Sequence, residues 1–271
     1  MVKNDLSTRK EMKASPLIIA HRGASSFAPE NTLAAIKMAV DSGADGVEFD
    51  VQLASDSVPV VIHDTTLNRT ALRVGNVSNF TSIQLAEIDV GSWFNAKYPK
   101  RSNLDFAKET IPTLAQVLDL LQAFRGLIYI ELKTDATSFS DLVKAVCDTV
   151  RDSNLLPQII LKSFDLDAIP AIKHLLLDVQ TAALFGPTVR DIIWRRRNFV
   201  AVANELGADQ ISLHYSLVNR ILTSLVADDQ TPVTVWTVDK PEWLTKCQKL
   251  GIGALITNDP GKLLKWRERA D

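Results

Sequence analysis

The sequence predicts an α/β fold, a TIM-type (β/α)8 barrel. Three observations carry that expectation. Short, near-continuous apolar runs recur along the chain with amphipathic segments between most of them, the pattern of a parallel sheet covered on both faces. One pair of runs, 46–53 and 58–64, is separated only by Ala-Ser-Asp-Ser, too short for a parallel crossover, so it must form a hairpin. Setting the second run of that pair aside leaves eight strands, with a helix in every other gap.

The elements follow in order. LIIA (17–20) is a buried strand that stops at His21-Arg22-Gly23. A loop of small residues runs through Pro29-Glu30-Asn31-Thr32 into a helix over 31–42, with Asn31 as its cap. GVEFDVQL (46–53) carries Glu48 and Asp50 two apart, so both face one side. VPVVIHD (58–64) returns as the hairpin strand. A turn centred on Ser55-Asp56 pairs Asp50 with Val61 and Glu48 with His63, on the same face. Residues 65–110 lack strong periodicity. They contain TSIQLAEID, a short helix candidate, and the aromatic GSWFNAKYP, and read as a small insertion over the barrel mouth.

The remaining units alternate regularly: helix 113–124, strand 127–133, helix 139–152 capped by Ser140 or Asp141, strand 158–163, helix 165–177, strand 179–184 and helix 189–206. Strand 210–214, helix 217–227, strand 233–238, helix 241–250 with Pro241 near its first turn, strand 254–257 and helix 260–269 complete the set. The expected organisation is a single catalytic barrel domain over 1–271, with 65–110 as an insertion subdomain and 1–15 as a polar N-terminal segment.

Composition narrows the function. The 271 residues are 46% hydrophobic and 23% charged with a net charge of −2, which leaves no electrostatic footprint for nucleic acid. Arg195-Arg196-Arg197 reads as a solvated helix face. No apolar stretch approaches the ~18 residues of a membrane span, so no stable membrane association is expected. The first residues form no apolar leader, and a cytoplasmic enzyme is the expectation. Cys147 and Cys247 stand far apart without metal spacing and read as core residues.

Active sites of such barrels lie where the strands end. His21 and Arg22 end the first barrel strand, Glu48 and Asp50 lie on the second, and Glu131 and Lys133 end the third. His63 returns on the hairpin, and Trp236 ends the seventh strand. Three carboxylates close together repel unless a cation joins them. All-oxygen ligation by Glu48, Asp50 and Glu131 suits one divalent cation, Mg²⁺ or Ca²⁺, better than zinc. Arg22 and Lys133 supply positive charge for an anion such as phosphate. Two histidines let one take a proton while the other gives one. Together these describe phosphoryl transfer. Asp64 either orients a histidine or forms a turn. Trp236 is expected to pack over the substrate, and His214 to be a satisfied core histidine. Trp93 and Phe94 either cover the substrate or form the insertion's own core.

HRG-x5-PENT followed by EFD, HD and ELK, with VWTVDKP and a closing ITNDP, resembles the glycerophosphodiester phosphodiesterase family across nearly the whole chain. That resemblance implies a TIM-type barrel with an inserted small subdomain. It implies His21 and His63 as the acid/base pair, His21 the base and His63 the acid. It also implies Glu48, Asp50 and Glu131 as metal ligands, and Arg22 and Lys133 as phosphate contacts. The implied reaction is hydrolysis of a small-molecule glycerophosphodiester to glycerol 3-phosphate and an alcohol. The nucleophile is either water or the glycerol 2-hydroxyl. The competing expectations are a phospholipase that stops at a cyclic phosphate, with Trp93, Phe94 and Tyr98 giving lipid access, and a non-catalytic metal- or phosphate-binding barrel. Two positions depart from many relatives: Lys162 precedes Ser163-Phe164 where serine is common, and Asp239 follows VWTV where asparagine is common. Both departures bear on the alcohol group.

Overall fold

Hydrogen-bonded register, not only strand count, closes the barrel. The computed structural model describes residues 15–134, 138–187, 199–218 and 231–270. Eight parallel strands form a ring: β1 (Leu17–His21), β2 (Gly46–Leu53), β4 (Leu127–Leu132), β5 (Ile159–Ser163), β6 (Gln180–Phe185), β7 (Gln210–His214), β8 (Val233–Trp236) and β9 (Ala254–Thr257), with β9 pairing back onto β1. The ninth strand, β3 (Pro59–Val61), is antiparallel to β2. Because β2 is eight residues long, its first half pairs with β1 and its last three residues pair with β3. The hairpin therefore rises past the mouth.

The eight-strand count and the hairpin agree with the sequence reading, but the hairpin register does not. Val51 faces Val61, Gln52 faces Val60 and Leu53 faces Pro59, one residue out from the expected Asp50–Val61 pairing. Ser57 takes a left-handed conformation at φ +60°, and Ala54 N–H donates to Val58 C=O across a three-residue loop. This is the longer hairpin turn that a left-handed residue permits. Asp56 is held there by the backbone N–H and hydroxyl of Ser82. In this register a continued strand would set His63 opposite Phe49, a member of the outer core between barrel and helices. Instead β3 stops at Val61, and His63 approaches the mouth from the loop beyond it.

The helices lie where their apolar faces require. Helices Leu33–Asp41, Leu114–Leu120, Phe139–Arg151, Ala168–Leu175, Phe199–Glu205, Glu242–Leu250 and Pro260–Ala270 surround the barrel. Two caps differ from expectation. Thr32, not Asn31, caps the first helix, its hydroxyl accepting from Ala35 N–H. The helix after Lys133 begins at Phe139 after Ser138, so Ser140 and Asp141 sit inside its first turn. The expected helical run 189–198, the Arg195–Arg197 cluster and most of 217–227 lie outside the described residues.

The barrel interior is filled by Ile19, Tyr129, Ile160, Ala182, Ala254 and Ile256. Tyr129 spans it, its hydroxyl reaching Gln210 and Thr234. Between β3 and β4 the chain forms short helices at Ser82–Leu85 and Ser92–Lys97 and several 3-10 turns. Phe94 is fully buried, with its ring against Trp93, Tyr98 and Phe106, and this cluster includes Ala28 and Ala35. The two aromatics at 93 and 94 are thus local core, and of the sequence alternatives the substrate cover falls away. Both cysteines are free and buried. Among the described residues no helix is long and apolar enough to cross a membrane.

Phe94→Ala is expected to cost about 3–5 kcal/mol of unfolding free energy in a urea titration. Leu104→Ala, at a side chain 90% exposed in the same segment, should be close to neutral. Equal effects at the two positions would contradict this packing.

Candidate active site

The turn after β1 is built from left-handed residues. Arg22 has φ +54° and Gly23 φ +77°. A Cβ on Gly23 would lie 2.4 Å from the Ala35 carbonyl carbon, so only glycine lets the loop lie this close to the first helix. The turn leaves His21 and Arg22 beside the start of the carboxylate row, and Arg22 N–H donates to Glu48 Oε2 at 3.1 Å. Asn31, at φ +60°, is also there. Its amide donates to Asp50 Oδ2 at 2.9 Å and accepts from Asp50 N–H at 3.2 Å. Asn31 thus holds a carboxylate in place instead of capping a helix.

Strand register gathers the charges. Asp50 on β2 lies level with Glu131 on β4, which lies level with Lys162 on β5. Glu48, two residues before Asp50, shares its face. One oxygen from each of Glu48, Asp50 and Glu131 falls within a group less than 4.8 Å across, all three buried. Three cations answer them. Lys162 Nζ is 2.7 Å from Glu48 and 3.6 Å from Glu131. Lys133 contacts Asp50 at 3.0 Å and also pairs with Glu131. Arg22 Nε lies 3.1 Å from Asp50.

These contacts fix the ionisation. Burial raises the Asp50 and Glu48 carboxyls, but neighbouring cations overcome it. Lys133 and Arg22 hold Asp50 far below its usual range, and Lys162 lowers Glu48. Burial likewise works against a charged Lys162, and Glu48 and Glu131 outweigh it, so its ammonium stays protonated. Glu48 Oε1 and Asp50 Oδ1 are fully buried, and among the ion pairs of the described residues each is met by a lysine ammonium, Lys162 and Lys133 respectively. Three hard carboxylates whose buried oxygens converge on one small volume fit a divalent cation.

The two histidines have different supports. His21 Nδ1 lies 2.7 Å from Asn258 Oδ1, and Asn258 is itself fixed by donating from Nδ2 and its backbone N–H to Asp239. An amide oxygen only accepts, so His21 donates from Nδ1, and its Nε2 lies 4.0 Å from Glu48. His63 Nδ1 lies 2.6 Å from Asp64 Oδ1. Asp64 is held in turn by Arg69, whose guanidinium also grips Glu30 at 2.7 and 2.8 Å; Glu30 pairs with Arg22. Arg22–Glu30–Arg69–Asp64–His63 is one continuous ion-pair chain. Asp64 therefore orients a histidine, one of its two sequence readings.

Opposite this charged half stand aromatic rings. Trp236 packs against Phe164 at 5.5 Å and His214 at 5.0 Å between ring centroids. Lys133 Nζ lies 6.0 Å above the Phe164 ring, which joins the two halves. His214 is partly exposed, paired with Ser216 and stacked near Tyr215, so it belongs to this rim and not to the core as expected. The structure brings together His21, Arg22, Glu48, Asp50, His63, Glu131 and Lys133, with Trp236 across the mouth. Sequence reasoning missed Arg69 and Asn258. Asn258 lies 237 positions from His21, and Arg69, five residues past Asp64, sits in a loop without periodicity, so no spacing rule exposes either. The sequence marks Lys162 and Asp239 only as departures that bear on the alcohol group. Lys162 points instead into the carboxylates, and Asp239 backs Asn258.

Hydrogen bonds from Arg69 and His63 overcome burial and hold the Asp64 carboxyl down at about 2. The unfolded value is about 3.9. Asp64 therefore contributes stability above about pH 4 that is lost as pH falls toward 2. Asp64→Asn should lower Tm at pH 6, and the gap to the wild type should close across that acid window. A gap independent of pH would contradict the assignment.

The fold and site can now be set beside known proteins. The model for the glycerophosphoryl diester phosphodiesterase family matches residues 21–262. A glycerophosphodiester phosphodiesterase of Caldanaerobacter subterraneus is 32% identical over 250 residues, 92% of this chain and 96% of that protein. One from Bacillus altitudinis is 29% identical over 252 residues, 93% of this chain and 98% of that protein. Among solved structures, a phosphodiesterase of Oleispira antarctica in complex with the product sn-glycerol-3-phosphate superposes with a TM-score of 0.81 at 25% identity, covering 94% of this chain and 97% of that one. With the motif positions converging on one barrel mouth and the match running through almost the whole chain, the protein belongs to the glycerophosphoryl diester phosphodiesterase family.

Proposed function

We propose that this enzyme hydrolyses small glycerophosphodiesters to glycerol 3-phosphate and an alcohol, using a divalent cation and two histidines. The observation that carries this reading is the unequal support of His21 and His63 on either side of a buried carboxylate cluster. His21 is backed at Nδ1 by a neutral amide oxygen, and this reading gives its Nε2 the part of the base. His63 is backed by the Asp64 carboxylate, which fixes the ring, and this reading gives it the part of the acid.

Glu48, Asp50 and Glu131 are the groups that hold the cation in this reading. Bound there, Mg²⁺ or Ca²⁺ supplies positive charge to the non-bridging phosphate oxygens. The protein's own residues do the rest. Arg22 and Lys133 steady the charge that grows on the phosphoryl group. His21 Nε2 takes a proton from water as its oxygen bonds to phosphorus. The bond from phosphorus to the alcohol oxygen breaks, and His63 gives that oxygen its proton. The same roles serve attack by the glycerol 2-hydroxyl, with water opening the cyclic phosphate afterwards. Trp236, with Phe164 and His214, forms an apolar wall for the organic part of the substrate. The Oleispira enzyme's bound sn-glycerol-3-phosphate supports a substrate of this class. The burial of Trp93 and Phe94 removes two of the three aromatics that favoured a lipid substrate. In this reading residues 1–271 act as a single catalytic barrel with 65–110 as its insertion. Two free buried thiols suit the reducing cytoplasm.

Purified protein should release glycerol 3-phosphate from glycerophosphocholine or glycerophosphoethanolamine with Mg²⁺ or Ca²⁺, and not in EDTA. His21→Ala and His63→Ala should each lower kcat by about 10²–10⁴-fold. Wild-type turnover in either variant, or turnover indifferent to EDTA, would overturn the roles assigned.

A further inference from the structure

We propose that Lys162 is a resident counter-ion that sets how tightly the Glu48, Asp50 and Glu131 cluster binds its divalent cation. This rests on the reading of those three carboxylates as the cation's ligands.

Lys162 differs from the other two cations of the site in its surroundings. Lys133 and Arg22 remain about a fifth exposed at the mouth, where a substrate phosphate reaches them. Lys162 is only 2% exposed and ranks among the largest fully buried side chains of the protein. It rises from the interior face of β5, level with Glu131. Its ammonium lies 2.7 Å from Glu48 Oε1 and 3.6 Å from Glu131 Oε2. Two of the three ligand carboxylates are therefore partly neutralised from beneath, by a group with no route to solvent.

Two consequences follow from charge alone. With Arg22 and Lys133, Lys162 brings the positive charges to three against three carboxylates, so the cluster is compensated before any metal arrives. A dication that enters meets a fixed ammonium within a few ångströms, in a medium that screens poorly. The site is thus tuned toward looser, exchangeable binding, and the barrel does not need the ion to tolerate its buried carboxylates. A neutral side chain at 162 reverses both effects: the metal binds more tightly, and the metal-free protein loses stability.

The test is titration calorimetry with Mn²⁺, together with thermal unfolding at rising Mg²⁺, on wild type, Lys162→Met and Lys162→Gln. Glutamine keeps a donor near Glu48 but no charge. Both variants should bind Mn²⁺ at least tenfold more tightly than wild type and show a larger rise in Tm at equal Mg²⁺. A variant that folds only when metal is present supports the same conclusion. Binding in the variants equal to or weaker than in the wild type overturns the role of Lys162 while leaving the metal site standing. So does failure of both variants to fold even at saturating Mg²⁺, which makes Lys162 a structural ion pair. No Mn²⁺ binding in the wild type or either variant overturns the metal reading itself.

Discussion

Everything at the mouth of this barrel depends on keeping three buried carboxylates charged. Glu48, Asp50 and Glu131 lie together, all three buried, and each such charge costs several kcal/mol to bury unpaired. The chain meets that cost from three strands and one loop: Lys162 on β5, Lys133 just past β4, Arg22 just past β1, and the Asn31 amide. Parallel register puts these groups level with one another. The barrel is the means by which residues spread over more than a hundred positions share one small volume.

The same compensation separates the two histidines. An amide stands behind His21 and a carboxylate behind His63, so two chemically similar side chains have different partners. Neither support stands alone. Asp239 anchors the first through Asn258. Arg69 anchors the second through Asp64, and its other grip on Glu30 reaches Arg22. A residue of the 65–110 excursion is therefore linked to His63 and to Arg22 at once, so this segment contributes to the geometry of the mouth as well as covering β3.

Much of this was legible in the sequence, for reasons that differ by element. The eight barrel strands could be read because both faces of a covered parallel sheet are apolar, and the hairpin because four residues cannot make a crossover. The motif residues could be read because they cluster at strand ends. The hairpin register could not. It turned on Ser57 adopting a left-handed conformation that serine enters only under local constraint, and periodicity carries no record of that. Asn31 was taken for a cap because its neighbours make a good one, yet Thr32 caps and Asn31 binds Asp50. Asp239 and Lys162 were visible as departures, but their direction was not. A sequence shows that a charge is present near the mouth, whereas only register shows that Lys162 aims inward and that Asp239 meets Asn258.

The central claim is that the carboxylate cluster is a divalent-cation site bounded by Glu48, Asp50 and Glu131. Anomalous diffraction from crystals soaked in Mn²⁺ tests it most directly. The account predicts one dominant peak within bonding distance of oxygens from all three residues, absent from crystals of Asp50→Asn. A dominant peak elsewhere, or an unchanged peak in that variant, would contradict it.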